Sequence, residues 1–375
     1  MTLSQPLSSD APVLARTRRP VTNGTRAVLG FLVGLMFMTA AVSIFFTSTF
    51  DFENIVTGVR LILSGVNPWS PAVNLRHFYN PPHAVLFLWP MLFITPKILM
   101  VISGALLMAV AFYQRTWVGL AWFGTNILLY LIAAANIDML VIGGGLLLLF
   151  AADARREKSG AWLLRVLAYG MLLIKPQGGI FIVGLYVLLR RDWKGVLIAA
   201  ALYGMLFAPF YPDWIRNLIF NPPLAQTEAA QSLCGRFGSL FAIVVAVAAV
   251  LVRRWKYWQL GGLLAGILVP YAMPGIPIYL TLCAVRARVA IPIVILYSVG
   301  LASMALTPPS YPVPNVYDFI NPMLSLYHLS MLGLALALAI ISKEPYDDRD
   351  TIAVGDYVWR HAGWLQRLAQ RARSF

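Results

Sequence analysis

Asp51, Glu53, Asp138, Lys175 and His328 are ionisable residues set directly against apolar sequence, where such side chains are scarce. Asp51 and Glu53 follow the run that ends "FFTSTF". Asp138 stands in "AAANIDMLVIG", Lys175 in "MLLIKPQGGIF" and His328 in "SLYHLSMLG". A charge deep in an apolar helix costs about 2.5 to 3.5 kcal/mol on insertion scales, so these residues tend to line polar cavities and carry function. A carboxylate can take a proton from a hydroxyl nucleophile, and a lysine or arginine can stabilise a departing phosphate. Together they suit a phosphate-bearing lipid whose tail stays in the bilayer. Plainer roles compete with these. Lys175 can snorkel from a helix end, Asn136 or Asp138 can cap a helix, and His328 can be a packed helix residue.

The elements that must position these groups are apolar helices. Hydrophobic residues make up 59% of the chain and charged residues 12%, and runs of spanning length recur between residues 27 and 341. This excludes a water-soluble fold. The net charge of +14 sits in short arginine clusters between apolar runs, as in cytoplasmic loops. No continuous basic face accompanies the aromatics, so nucleic acid is not an expected partner. Cys234 and Cys283 make no disulfide framework.

Three regions follow: a disordered cytoplasmic tail over 1–26, a membrane domain over 27–342 and a basic tail over 343–375. The last tail ends in "DYVWRHAGWLQRLAQRARSF", whose spacing predicts an amphipathic helix on an anionic leaflet. Spans are expected near 27–47, 83–113, 118–134, 139–151, 161–174, 178–189, 196–210, 239–252, 257–273, 276–285, 289–306 and 322–341. These amount to about twelve crossings with both termini cytoplasmic. The arginine clusters before 27, at 115, 155–158, 190–194, 253–256, 286–288 and in the last tail then share one side. Arg60, Arg76, Lys175, Arg216 and Arg236 fall opposite, and Lys97 is ambiguous inside 83–113, which Pro90 and Pro96 should break without adding a crossing. Spans such as 178–189 and 276–285 are short for a bilayer and imply sheltered ends beside a cavity. Gly30/Gly34 and Gly262/Gly266 read as helix-packing pairs.

On the extracytoplasmic side the residues after the first span are too many for a connector. Ile55, Val59 and Ile62 recur at helical spacing, which predicts a helix along the membrane surface. The turns "GVNPWSP" and "HFYNPP" then build a stiff aromatic wall, and a second outer segment, "YPDWIRNLIFNPPL", can help to roof a cleft.

The order of these motifs resembles the GT-C integral-membrane glycosyltransferases, and glycosyltransferase family 87 most. The resemblance rests on "FDFENIVTG", on "SGVNPWSP" followed by "YNPPHAVLFLWP", on the "NID" turn, and on "LLIKPQGGIFIVGLYVLLRRDWKG", which together cover about residues 51–195. It implies an all-α polytopic membrane protein, a GT-C-like bundle with interfacial helices in its first outer loop. It implies an inverting hexosyltransferase, with mannose the foremost sugar, working at the extracytoplasmic face of the plasma membrane. The donor would be a polyprenyl-phosphate sugar and the acceptor a lipid or cell-envelope glycan. Asp51 would be the general base. Lys175 matches the family's Lys-Pro turn and by position would meet the donor phosphate, with Arg236 and Arg60 as further cations. Glu53, Tyr79, Asn80, Asp138 and Gln177 would contact acceptor or sugar, and His328 would orient or share the proton of Asp51. No metal or cofactor is expected, because a side-chain cation can neutralise a single phosphate. The rival reading is a multi-spanning transporter or lipid flippase, although neither repeated halves nor midplane charges mark the sequence.

Overall fold

The structure, a computed structural model, describes residues 22–46, 49–73, 75, 78–114, 123, 128, 131–132, 135–155, 160–220, 234, 237–252 and 261–269. All regular structure among them is helical. Among the described residues two helices are long and apolar enough to cross a membrane, α1 (Asn23–Phe45) and α4 (Pro96–Gln114), and a bent pair described below raises this to three. The chain is therefore membrane-associated by composition and by architecture.

α1 begins where Thr22 accepts a hydrogen bond from the Thr25 backbone N–H at 3.2 Å, and it buries Gly30, Gly34, Met38, Ala41 and Val42 along one stripe. That stripe lies against α4. A Cβ at Gly34 would stand 2.7 Å from Ala105 Cα, and one at Gly30 2.6 Å from Phe112 Cβ, so the expected packing role of this glycine pair holds. These contacts run in opposite order along the two chains, which makes α1 and α4 antiparallel. The Lys97 ammonium consequently lies 5.7 Å from the Phe46 ring centroid, at the end where α1 finishes.

The passage expected over 83–113 is broken. Short helical turns over Pro82–Ala84, α3 (Val85–Leu88) and Trp89–Leu92 precede α4, which starts afresh at Pro96. Pro90 and Pro96 lack the N–H that a continuous helix would need, and each falls instead at a helical start, where that donor has no partner to lose. α2 (Phe50–Leu63) is the helix predicted from the spacing of Ile55, Val59 and Ile62. It buries Phe52, Ile55, Val56, Val59 and Ile62 and exposes Glu53, Thr57 and Arg60, and it packs on α3 and the turn that follows.

The remaining helices are short: α5 (Asp138–Ala154), α6 (Ala161–Leu172), α7 (Pro176–Arg190), α8 (Trp193–Leu206), α9 (Tyr211–Phe220), α10 (Ser239–Val252) and α11 (Gly261–Leu268). α5 packs between α4 and α6, α6 also meets α7 and α8, and α11 packs between α7 and α10. Shortness is tolerable because the polar ends are tied to each other. At the end of the bundle away from Phe45, Arg165 pairs with Asp192 at 2.9 Å, and the Tyr169 hydroxyl donates to the same carboxylate at 2.5 Å. Beside them Arg190 pairs with Asp153 at 3.1 Å and Tyr186 donates to Asp153 at 2.7 Å. The two tyrosine rings meet edge-on at 6.1 Å. Each of the two carboxylates thus has an arginine partner and a tyrosine hydroxyl donor, the condition under which low-dielectric burial of ion pairs is tolerated.

Candidate functional site

At the Phe45 end, the chain turns from α1 into α2 through Thr49, whose carbonyl accepts from the Glu53 N–H at 2.8 Å and whose hydroxyl donates to the Glu53 carboxylate. This turn places Asp51 in the first turn of α2, where an acidic residue complements the free N–H groups. Glu53 is thereby an exposed start-of-helix residue.

Asn136, buried just before α5, does two things. Its side-chain oxygen accepts from the Asp138 N–H at 2.8 Å, the capping role the sequence allowed. Its amide NH2 donates to Asp51 Oδ2 at 3.0 Å, a role the sequence did not disclose. Capping by Asn136 leaves Asp138 for another task, and its Oδ1 lies 3.0 Å from Lys175 Nζ. Lys175 therefore turns inward to a carboxylate and does not snorkel. Three of the ten residues expected at a site, Asp51, Asp138 and Lys175, thus converge from three separate segments, with Asn136 as the link between them.

The carboxyl of Asp51 is enclosed, although the residue as a whole keeps some surface. Burial pushes it above the usual carboxylate range; the Lys175 charge pulls it back, the Asp138 charge pushes it further up, and the Asn136 hydrogen bond favours the ionised form. Burial is the largest of these influences. The result is an enclosed carboxyl that feels the charge of the Lys175 ammonium.

The Lys175 turn is built by "IKPQGG". α6 ends at Leu172, Pro176 opens α7, and the Gly178 and Gly179 N–H groups bond back to the Lys175 carbonyl at 3.1 and 2.9 Å. A side chain at Gly179 would collide with the Leu172 carbonyl, so only glycine lets α7 fold back this closely. Gly179→Ala is expected to destabilise the protein by about 1 to 3 kcal/mol, the range for overpacked sites. Thermal unfolding in detergent should show a melting point lowered by several degrees.

The loop between α2 and α3 forms the wall that the sequence anticipated. Trp69 stacks on Phe78 at 5.4 Å and donates through Nε1 to the Phe78 carbonyl at 2.6 Å. Beyond it, Asn80 donates to the Ile174 carbonyl at 3.1 Å, next to Lys175. His83 Nε2 lies 3.1 Å from the Gly170 carbonyl and Nδ1 lies 2.8 Å from the Tyr211 hydroxyl. A carbonyl only accepts, so Nε2 carries the proton and Nδ1 receives the tyrosine's. Both side chains satisfy carbonyls near the end of α6 that the helix itself leaves without N–H partners. Asn80, expected at acceptor or sugar, gives its amide N–H to holding the Lys175 turn. His83, which sequence reasoning did not single out, shares that task.

Of the other expected residues, Arg60, Tyr79 and Gln177 are also described. Arg60 is exposed in the last turn of α2, about 13 Å along the axis from Asp51 at the usual rise per residue. Tyr79 is half-buried, and its carbonyl accepts from Trp214 Nε1 at 3.0 Å. Gln177 is half-buried in the first turn of α7. Arg236 and His328 fall outside the described residues, as does the C-terminal amphipathic segment. No family model, curated protein or solved structure matches the chain.

Proposed function

We propose that the protein is an inverting glycosyltransferase of the GT-C type, moving a hexose, mannose foremost, from a polyprenyl-phosphate donor to a lipid-linked or cell-envelope acceptor. One observation supports this reading above the others. The enclosed carboxyl of Asp51 and the ammonium of Lys175 are gathered at one end of the bundle, beside a surface helix and an aromatic loop. In the reaction Asp51 takes the proton of the acceptor hydroxyl as that oxygen attacks the anomeric carbon. The bond from that carbon to the phosphate oxygen breaks on the opposite face, and the electron pair leaves with the lipid phosphate. Single displacement of this kind needs one base and inverts the configuration. Lys175 stabilises the negative charge that stays on the phosphate, while Asp138 fixes the ammonium.

In this reading the bundle completes about twelve crossings in the plasma membrane, with the Asp51 end extracytoplasmic and the arginine clusters cytoplasmic. A proton-coupled transporter would also use an enclosed carboxyl beside a lysine. Its coupling site belongs near the bilayer midplane, between repeated halves, whereas Asp51 lies past the end of α1.

The test uses purified protein in vesicles of envelope lipid and polyprenyl-phosphate-mannose labelled in the sugar. Transfer predicts a new labelled glycolipid of inverted configuration that appears with time and enzyme. Movement of the labelled donor across the vesicle membrane with no new glycoside would overturn the reading in favour of transport.

A further inference from the structure

α9 has its polarity inside out. On the side facing the rest of the protein it carries Tyr211, Asp213, Trp214 and the buried Asn217. Asp213 accepts from Asn67 at 2.6 Å, Trp214 donates to the Tyr79 carbonyl, and the Tyr211 hydroxyl bonds His83. The opposite side shows Ile215, Ile219 and Phe220, which are 48%, 65% and 72% exposed, with Arg216 among them. A helix on a water-facing surface buries its apolar stripe and shows its polar one. This helix does the reverse, so what covers its outer side is apolar.

Direction narrows the occupant. α8 and α9 pass the hydropathy test for a span only as a pair, and the bend between them is 98°. If α8 runs across the bilayer, α9 lies in its plane. α8 likewise exposes apolar side chains, Leu197, Leu202, Met205 and Leu206, up to its last turn before the bend. A short in-plane helix with apolar residues downward matches the physics of interfacial helices, and Arg216 on the same outer side can lay its stem along that face and bring its guanidinium up to the lipid phosphates.

We propose that α9 is seated in one lipid leaflet at the Asp51 end, with Ile215, Ile219 and Phe220 among the acyl chains and Arg216 at the headgroup phosphates. Its polar side then holds the loop bearing Asn80 and His83, and through them the Lys175 turn, at headgroup depth. That is the level at which a phosphate on a membrane-resident lipid resides. The seating of the helix holds whatever the reaction, so its test needs no activity.

Cys234 and Cys283 are replaced by serine, and single cysteines are introduced as Ile215→Cys, Ile219→Cys and Phe220→Cys, with Leu197→Cys on α8 as the reference. Each variant carries a nitroxide in vesicles of phosphatidylethanolamine and phosphatidylglycerol, and its relaxation by oxygen and by a water-soluble nickel chelate is compared. Labels in the leaflet will be relaxed several-fold more by oxygen than by nickel, as at Leu197, and an Arg216→Cys label will show a smaller ratio. Labels relaxed by nickel as freely as a soluble nitroxide would put the face in water and overturn the proposal. Immobile labels shielded from both reagents would put it under protein, a second copy included, and overturn it equally. The separate positions keep the test decisive if any one variant fails to fold.

Discussion

Asp51→Asn is expected to lower the rate of sugar transfer by roughly 10²- to 10⁴-fold, the span that a positioned general base contributes. Asparagine keeps the size of the side chain and an oxygen for the Asn136 amide, but it cannot accept the acceptor's proton. The loss should be visible in initial rates at saturating donor. Glu53→Gln, two residues away on the exposed side of the same turn, should keep substantial activity, because Glu53 serves the start of α2 and not the enclosed cluster. Equal loss in both variants would undo the assignment of the base. Stability separates chemistry from misfolding. Burial raises the folded-state carboxyl of Asp51 above its unfolded value. Its favourable share of stability is therefore present at low pH and lost as pH rises through the folded value. Above the folded value the ionised carboxylate is a burden to the fold, so the uncharged Asp51→Asn variant should melt no lower than wild type there. An inactive variant with an undiminished melting point places the loss in the reaction.

How much of this was readable in advance varies with the kind of residue. α2 was legible because Ile55, Val59 and Ile62 repeat at helical spacing, and each is indeed buried. The packing of Gly30 and Gly34 on α4 was legible because only small side chains let two helices approach that closely. Asp138 and Lys175 could be singled out because a charge between two apolar runs has few tolerable positions, yet nothing in their spacing said that they pair. The double role of Asn136 was hidden for a related reason. A capping residue is recognised from its neighbours in sequence, whereas its bond to Asp51 spans 85 positions and belongs to tertiary structure alone. His83 and Asn80 were harder still. Their partners are main-chain carbonyls at Gly170 and Ile174, and every residue has a carbonyl, so no side-chain pattern marks the site. The break before α4 was anticipated from Pro90 and Pro96, but the short turns that replace a helix there were not. The ion pairs of Asp153 and Asp192 escaped notice because Arg190 was read by its side of the membrane and not by what it could reach, and Arg165, inside an apolar span, was not singled out.

Lys175→Met should reduce kcat/KM by about 10²- to 10³-fold, as when one preorganised donor to a developing anion is removed. It should also move the pH profile. Lys175 is the strongest influence opposing the rise in the Asp51 carboxyl, with the Asn136 bond a weaker one, while burial and Asp138 both act upward. Without the lysine charge the carboxyl titrates at higher pH, so the acid limb of log kcat/KM must shift to higher pH. A shift in the other direction, or none, would mean that the ammonium does not act on Asp51. One complication is structural: the substitution leaves Asp138 largely enclosed with its cation gone, and stranding one member of a buried pair is destabilising in its own right. The double variant Lys175→Met with Asp138→Asn removes both charges and distinguishes the roles. Its melting point should return towards that of wild type, since no carboxylate is stranded beside the new methionine, while transfer should stay low because no cation meets the donor phosphate. Should transfer recover together with stability, Lys175 would be only the neutraliser of Asp138, and the donor phosphate would have to be held by some other group.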